Sequence, residues 1–599
     1  MNEDNRIENI VKIYKERFPM GWIDSLVWDK TQNKKSLVNV QEKVAEFKQD
    51  VFILFAQSII LGEYIIKDDY ATRLESLQEL FADAEVHDNE QSKLKTVAIN
   101  SFNEMTYQLG AVISRFRHVM TMLNDKYGER QTKYIVNAYR IKHKNSWDKS
   151  YGRFYDILIE ITYTDHFLSY DEETIANLIL YHSELSEAVQ KKVLQDSSLL
   201  LLEILDDKCL FLLKKLLVDD NAEFDYMIDF NHYHYDARDL PFKYFKEMNK
   251  LFEFYRSEAY SSNDSLGRDL DVKSRNNTLS IGQFSLLMKY YKDTSNTNKE
   301  QINNILKDFD SLYDQKLAQP IKEPFERYAL YTLKNYMYNS RFSFLMQDTG
   351  YTFGQLQKDL NEIIGIQNQT GVLNFYPFRK AFSKALQLFH TNDAIKKENF
   401  QELKDFLQQC IVKFTEAIEW CKTYYFYPIQ NQYKECLVKV DGFGDVFIAS
   451  SFCRPVKYGK LIDDLNTFKN QALLVDNEIA LLEEKAELKK IKNDIDHSKT
   501  REVEVLSVFT AIITFLFGTI GFFAENKNND FLHLVFSIFG LGAILLIFVS
   551  GIHLVTMRKE EKFWDYFKHP RAWFCLLTIV VCIILLLKFI VIVKALPVA

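Results

Sequence analysis

The sequence predicts a mainly α-helical protein: a large helical cytoplasmic domain with a small β-hairpin, a long stalk helix and a C-terminal transmembrane region of three helices. Three observations carry this prediction. Apolar residues recur at spacings of three and four through most of the first 430 residues. A stretch without glycine or proline follows from Asp463 to Glu504, and three long apolar runs end the chain.

Composition narrows the class of protein. The 599 residues carry a formal net charge of −8, so no general attraction to nucleic acid is expected and direct nucleic-acid binding is not predicted. The seven cysteines lie far apart without C-x-x-C spacing, which argues against a disulfide framework or a zinc site and suits a reducing cytoplasm. The first residues, MNEDNRIENIVKIYKERF, lack the apolar core of a signal peptide.

The helical domain is expected in two parts. Residues 1–256 form the first and 283–434 the second, because residues 257–282 are rich in Ser, Asn, Asp and Gly and read as a loop or boundary. VFILFAQSII at 51–60 is too short to span a membrane and predicts a buried helix. FYDILIEITYTD at 154–165 fits either a strand or a buried helix.

A β-hairpin is predicted at 435–455, where two runs with β-branched residues flank the turn sequence DGFG. It is interpreted either as a cap over the helical core or as an element that transmits movement toward the membrane. A stalk helix follows at 461–504, with Leu474, Leu481, Leu488 and Ile495 seven residues apart. The companion heptad position holds Glu478 and Lys485, which favours a wide symmetric bundle over a two-stranded coiled coil.

Three transmembrane helices are predicted at 505–524, 531–557 and 572–594. The loop between the second and third carries five basic residues, whereas ENKNND between the first and second carries one. The positive-inside rule therefore puts the N-terminal domain in the cytoplasm and the C-terminus outside.

One face of the first span is lined by small and hydroxyl residues, predicted to line a pore: Ser507, Thr510, Thr514, Gly518 and Gly521. Close packing between helices in lipid would explain the same stripe. The unbroken continuation from the stalk favours a central pore in a homo-oligomer, with a rigid connector to a membrane anchor as the alternative.

Motifs for chemistry are few. The sequence holds no phosphate-binding loop, no G-x-S-x-G elbow and no H-E-x-x-H, so an enzyme is not predicted, nor a catalytic residue, resident metal or cofactor. His232, His234 and Asp236 could share one side of a strand as metal ligands, or belong to an ordinary surface. A basic and aromatic window fits either a nucleotide pocket or a solvated helix face, and its candidate ligand-binding residues are Arg115, Arg117, Arg130, Lys133, Arg140 and Lys142.

The segment SKTREVEVLSVFTAIITFLFGTIGFF, Ser498–Phe523, resembles the pore helix of the CorA family of divalent-cation channels. Gly521 matches the glycine of that family's Gly-Met-Asn motif, whereas Phe522 and Phe523 replace its methionine and asparagine. A ring of phenylalanines cannot hydrogen-bond to a hydrated ion and could close a pore by dewetting, so both residues are predicted to form an outer gate.

The missing triplet, together with a cytoplasmic domain of over 400 residues that would suit a ligand sensor, makes the chain similar to the CorA-like effectors that accompany type III CRISPR systems. That resemblance implies a homo-oligomer, pentameric in the family, in a bacterial inner membrane and in contact with lipid. It also implies an antiviral channel opened by a nucleotide second messenger such as SAM-AMP or a cyclic oligonucleotide. Two alternatives stay open: a divalent-cation (magnesium) transporter, and a membrane-anchored binding scaffold without a pore.

Overall fold

The fold is taken from a computed structural model of the chain. The structure describes residues 5–29, 31–67, 69–86, 92–127, 151–168, 172–217, 242–257, 259–261, 264–294, 297–319, 324–391, 400–424, 438–450 and 458–525, with scattered residues between 535 and 591. The described chain is mainly helical with one small antiparallel hairpin, which confirms the predicted class at this level.

The helices of the first half are α1 (Arg6–Arg17), α2 (Asn33–Ile60), α3 (Glu63–Ile66), α4 (Tyr70–Ala82), α5 (Lys93–Tyr127), α6 (Tyr151–His166), α7 (Glu172–Gln190), α8 (Asp196–Leu217) and α9 (Lys246–Arg256). Those that follow are α10 (Ser265–Arg275), α11 (Gln283–Asp293), α12 (Lys299–Ala318), α13 (Pro324–Leu345), α14 (Phe353–Thr370), α15 (Tyr376–Thr391), α16 (Phe400–Tyr424) and α17 (Tyr458–Glu525). The strands are β1 (Val438–Val440) and β2 (Gly444–Val446).

Helices α1, α2, α4 and α5 enclose an aromatic core. The rings of Phe18 and Phe47 meet at 83° with centroids 5.3 Å apart, and Phe102 lies 5.0 Å from Phe18. Edge-to-face pairs of this kind add about 0.5–1.5 kcal/mol each beyond the burial of their area. The predicted helix at 51–60 forms the buried end of α2, which confirms that interpretation.

The segment FYDILIEITYTD lies in α6, so the helical alternative is the one observed. Its neighbour α8 is buried along most of its length, since it contacts α2, α6 and α7. This explains the long apolar runs of α8, LLLL at 199–202 and CLFLL at 209–213. Four of its charged residues are buried with it: Asp207, Lys208, Lys214 and Lys215.

The second half is built around α13, which contacts α11, α12, α14 and α15, and α15 in turn contacts α16. Local sequence signals fix the ends of these helices. Asn298 and Gln301 form a capping box at the start of α12, and Thr352 and Gln355 form another at the start of α14. Gly371 ends α14 in the left-handed conformation at φ 67°.

Helix α10 lies inside the segment 257–282 predicted as a loop or boundary. The Asp264 side chain caps it by accepting a 2.8 Å hydrogen bond from the Gly267 amide. Gly267 itself lies against the Tyr290 ring, so close that a Cβ there would clash. The segment is therefore helical despite its polar composition, because the Asp264 cap and the contact with the Tyr290 ring stabilise the helix.

The hairpin predicted at 435–455 is observed with strands of three residues. Val438 pairs with Val446 and Val440 with Gly444, and the turn residue Gly442 has φ 74°. The left-handed conformation is the reason for glycine in this turn. Residues 435–437 and 451–455 of the predicted hairpin lie outside the described part.

Helix α17 runs for 68 residues without interruption. Within the described residues it is the one helix long and apolar enough to cross a membrane, with a mean hydropathy of 2.1 in its most apolar window, which suggests membrane association. The spans predicted at 531–557 and 572–594 fall largely outside the described residues and stay predictions.

Contacts divide the chain into two units, Met1–Leu474 and Val475–Ala599. All helices from α1 to α16, the hairpin and the first residues of α17 belong to the first unit. The cluster described next lies wholly inside it.

Candidate functional site

A buried ionic cluster surrounds Asp165, the penultimate residue of α6. Its carboxylate accepts hydrogen bonds from the backbone amides of Ala449 at 2.7 Å and Ser450 at 2.9 Å, and from the Ser450 hydroxyl at 2.6 Å. Asp165 is 1% exposed. The helical core therefore holds the chain just after β2 by charge-assisted hydrogen bonds, which are stronger than neutral ones.

Two lysines of α8 complete this attachment. Lys208 Nζ lies 2.9 Å from the Asp165 carboxylate and donates to the Phe447 carbonyl at 3.1 Å. Lys215 Nζ donates to the Ser450 hydroxyl at 2.6 Å and to its carbonyl at 3.2 Å. They are seven residues apart, two helical turns, so both project from one face of α8.

His166 links the cluster to the N-terminal helices. Tyr64 Oη lies 2.7 Å from its Nε2 and Tyr127 Oη 3.0 Å from its Nδ1, while Lys126 Nζ donates to its backbone carbonyl. A neutral imidazole has one donor and one acceptor nitrogen, so one tyrosine donates to the ring and the other accepts from it. The ring is satisfied without a charge.

The electrostatics keep Asp165 charged and His166 neutral. Burial alone would raise the pKa of Asp165, but the ammonium groups of Lys208 and Lys215 and the Ser450 hydrogen bond hold that pKa below its ordinary value. Burial lowers the pKa of His166 to about 3, a shift that the Asp165 charge opposes and that Lys126 and Lys208 reinforce.

Phe447, the first residue of the segment held by the Asp165 cluster, also contacts the turn after α2. The Phe447 amide donates to the Ile60 carbonyl at 2.9 Å, and the Phe447 ring packs over Gly62. A Cβ built on Gly62 would lie 2.6 Å from Phe447 Cγ, and Gly62 has φ 72°. Glycine is required there twice, for the backbone conformation and for the close approach.

A second set of contacts holds the first residues of α17. Phe468 stacks on Phe382 of α15 with centroids 4.4 Å apart and lies 5.3 Å from Phe414 of α16. Arg379 pairs with Asp464 at 3.3 Å. The chain is thus tied to the helical core at two places, eight residues before α17 begins and within its first three turns.

The predicted pore-lining residues all lie in α17. The hydroxyls of Ser507, Thr510 and Thr514 donate to the carbonyls four residues earlier, at 2.6, 2.8 and 2.8 Å. Their donors are satisfied inside the helix, as hydroxyls in apolar surroundings require. Gly518 and Gly521 lie in the same helix, and a Cβ on Gly521 would meet no atom within 4 Å.

The predicted gate, Phe522 and Phe523, falls in the last residues of α17, but their side chains lie outside the described part. His232, His234 and Asp236 also lie outside it. Among the residues that the structure describes, no group of three or more His, Cys, Asp or Glu side chains is arranged to hold a metal ion.

The predicted ligand-binding residues are described only in part. Arg115 pairs with Asp156, and Arg117 donates to Gln78 and Glu75, both at 2.7 Å. Each guanidinium is thus engaged by an acidic side chain of its own domain, with which a phosphate would have to compete. Arg130, Lys133, Arg140 and Lys142 lie outside the described residues, so the set stays a prediction.

The Asp165 cluster was not predicted from the sequence. The signal for it was present in α8, where Asp207, Lys208, Lys214 and Lys215 interrupt a long apolar run. Charged residues in a buried helix need partners. The partners lie up to 239 positions away along the chain, and no spacing rule connects them.

In comparisons with known proteins, no protein-family model, no curated protein and no solved structure matches the chain.

Proposed function

We propose that this chain is the subunit of a homo-oligomeric membrane channel in which α17 lines the pore and the helical domain governs its opening. The observation that carries the proposal is the length and character of α17. It is an unbroken helix of 68 residues in which residues 505–524 are uncharged and mostly apolar, with one face of hydroxyl and glycine residues.

Exposed apolar residues on α17 support the oligomer. Leu474, Leu481, Leu488 and Ile495 are 65, 56, 57 and 48% exposed in the single chain. Large apolar side chains repeated every seven residues are typical of a helix that meets partner helices. Further copies of the same helix around an axis would cover them, and five copies is the number that the CorA resemblance implies.

The two attachments to the helical core support gating. A ligand that alters the helical domain can act on α17 only through chain segments held firmly to that domain. The Asp165 cluster and the Phe468 contacts hold two such segments. In this proposal the ligand is a nucleotide second messenger, SAM-AMP or a cyclic oligonucleotide. The channel then acts as an antiviral effector that disrupts the membrane potential.

The proposed setting is a bacterial inner membrane, with the helical domain in the cytoplasm and the C-terminus outside. Five basic residues between Arg558 and Arg571 support this orientation. The remaining partners in the proposal are lipid and further copies of the chain.

The test is a flux assay. The full chain is purified in detergent, its mass is measured by light scattering, and it is reconstituted into liposomes loaded with a self-quenching dye. We expect an oligomer, and dye release after addition of SAM-AMP or a cyclic oligoadenylate but not of AMP. Empty liposomes serve as the control.

Two outcomes would contradict the proposal. Silence with every nucleotide, together with a monomeric mass, would favour the membrane-anchored scaffold. Magnesium uptake that needs no nucleotide, measured with an enclosed magnesium dye, would favour the divalent-cation transporter.

A further inference from the structure

Four basic side chains of α11 and α15 lie near one another, and one of them, Arg379, pairs with a residue of α17. Lys292 comes from the last turn of α11 and Lys289 from the turn before it, and Arg379 and Lys380 come from the start of α15. Helices α11 and α15 both contact α13, which brings them together although they are some ninety residues apart in sequence. All four residues belong to the first unit.

One carboxylate serves both lysines of α11. Lys289 and Lys292 each contact Asp293, and Lys289 also donates to the Ser257 carbonyl at 2.7 Å. These three side chains are recessed, with 14, 20 and 11% of their surfaces exposed. Two ammonium groups therefore share one counter-charge in a poorly solvated place.

Lys380 adds a third ammonium group. Its Nζ donates to the Ser343 hydroxyl, a neutral partner. The pKa of Lys380 is lowered to about 8, chiefly by burial and next by the charge of Lys292, with smaller lowering effects of Arg379 and Lys289 and an opposing effect of Asp293. Burial, with the charge of Lys289, also lowers the pKa of Lys292 against the opposing effect of Asp293. The lysines thus repel one another in this structure.

The position of α15 adds to the positive potential. Arg379 stands in the first turn of α15, which contains no acidic residue. A helix carries partial positive charge at its N-terminus, where a cation is unfavourable and an anion is favourable. Arg379 is balanced by Asp464 of α17, 3.3 Å away.

The six side chains named above are four cations, Lys289, Lys292, Arg379 and Lys380, and two carboxylates, Asp293 and Asp464. The surplus is two positive charges. We propose that this cluster binds a small soluble anion with a phosphate or pyrophosphate group. Lysine and arginine are the usual partners of phosphate oxygens, and such an anion would supply the counter-charge that the lysines lack.

A soluble anion fits better than the headgroup of a membrane lipid. The cluster is recessed, with most of its side-chain surface covered, and a bilayer surface is too flat to reach into it. The inference does not depend on the channel proposal, because the site is defined by the helical domain and its binding is measured without a membrane.

Binding at this site would act directly on α17. Arg379 is the residue that pairs with Asp464 in the second helical turn of α17. A phosphate that takes the Arg379 guanidinium competes with Asp464 for it. Removal of the Asp464 charge should therefore strengthen anion binding. If the ion pair between Arg379 and Asp464 were only structural, this change would leave anion binding unaltered.

The experiment is isothermal titration of the detergent-solubilised full chain with inorganic pyrophosphate. We expect Lys292→Gln and Lys380→Gln each to weaken binding about tenfold or more, as for other lost hydrogen bonds to charged groups. We expect Asp464→Asn to strengthen it about two- to fivefold, the range of a partly exposed ion pair. The matched control is Lys307→Gln, an exposed lysine of α12 with the same change in charge.

Three results would overturn the proposal: no pyrophosphate binding by the unchanged protein, equal losses in Lys307→Gln and Lys292→Gln, or weaker binding in Asp464→Asn. Thermal unfolding of each variant separates lost binding from lost fold. A competing arm uses dioctanoyl phosphatidic acid, and displacement of pyrophosphate by this lipid at equal concentration would assign the site to a headgroup instead.

Discussion

At the scale of single residues, Asp165 is a buried carboxylate with four charge-assisted contacts. Its carboxylate accepts hydrogen bonds from two backbone amides and one hydroxyl and pairs with the Lys208 ammonium, and the residue is 1% exposed. A buried ion pair of this kind gains little over an apolar pair but is costly to break. Its consequence is that the segment 447–450 is fixed to α6 and α8 with one geometry.

Replacement of Asp165 by asparagine should destabilise the domain by about 3–5 kcal/mol, the usual cost of removing one partner of a buried ion pair. The reason is that Lys208 would stay buried without the carboxylate that it pairs with. Chemical denaturation of the detergent-solubilised chain measures the loss. The control is Asp445→Asn on the exposed side of β2, expected within about 0.5 kcal/mol of the unchanged protein. Equal effects of the two variants would contradict the assignment.

The neutral His166 makes stability depend on pH. Its pKa is about 3 in the folded state against an ordinary 6.5, so between these values the unfolded chain binds the extra proton. As the pH is lowered from 6.5 toward 3, this residue should therefore reduce the free energy of unfolding by roughly 1.4 kcal/mol per pH unit. The substitution His166→Gln keeps a neutral polar side chain and removes the titration.

Unfolding of both proteins at pH 7 and pH 5 measures this difference. We expect the unchanged protein to lose roughly 2 kcal/mol more than His166→Gln over that interval. Parallel losses in the two proteins would show that His166 is not buried in its neutral form.

Contacts between single residues were the least predictable feature from the sequence. The hydroxyl stripe of α17 was visible because its members share one helix, and a period of 3.6 relates them. Asp165, Lys208 and Ser450 come from three distant segments, and only the tertiary fold brings them together. Arg115 and Arg117 were visible as a basic pair, but their acidic partners on other helices were not.

At the scale of elements, the connection between α2 and α3 packs against Phe447, the residue that follows β2. Gly62 adopts a left-handed conformation at φ 72° directly beneath the Phe447 ring, and Ile60 accepts a hydrogen bond from the Phe447 amide. A short helical connection and a distant hairpin thus fit one another through a single glycine.

Substitution of Gly62 by alanine should therefore lower the free energy of unfolding by more than substitution of a glycine that has a positive φ but no close neighbour. Gly371 is such a control, because it has φ 67° and a Cβ there would meet no atom within 4 Å. We expect Gly371→Ala to cost about 1–2 kcal/mol from backbone strain. Gly62→Ala should cost about 1–3 kcal/mol more, from overpacking against Phe447. Thermal unfolding compares them, and equal costs would exclude the tight contact.

Helices and the hairpin were largely predictable at this scale. Three-and-four spacing identified the buried end of α2, and DGFG identified the turn of the hairpin. The strand-or-helix ambiguity at 154–165 arose because a segment buried on several sides shows no clean period. Helix α10 was not predicted because its sequence is polar. One N-cap and one contact between a glycine and an aromatic ring stabilise it instead.

At the scale of the whole molecule, the central claim is that copies of α17 surround a water-filled path. The helix is long enough, its final part is apolar, and its heptad leucines are exposed in the single chain. The subunit number, the outer gate and the two further spans were inferred from sequence and resemblance. No physical rule derives them from one chain, because oligomers are defined by contacts between copies.

The most direct measurement is thiol accessibility during flux through proteoliposomes. Thr514→Cys stands on the hydroxyl stripe, and Leu516→Cys about 160° away around the same helix serves as its matched control. The unchanged protein gives the baseline for the native cysteines. We predict that a charged, membrane-impermeant methanethiosulfonate blocks nucleotide-stimulated flux through Thr514→Cys and leaves flux through Leu516→Cys as in the unchanged protein. Block of Leu516→Cys with Thr514→Cys unaffected would put the stripe against lipid or neighbouring helices and contradict the account.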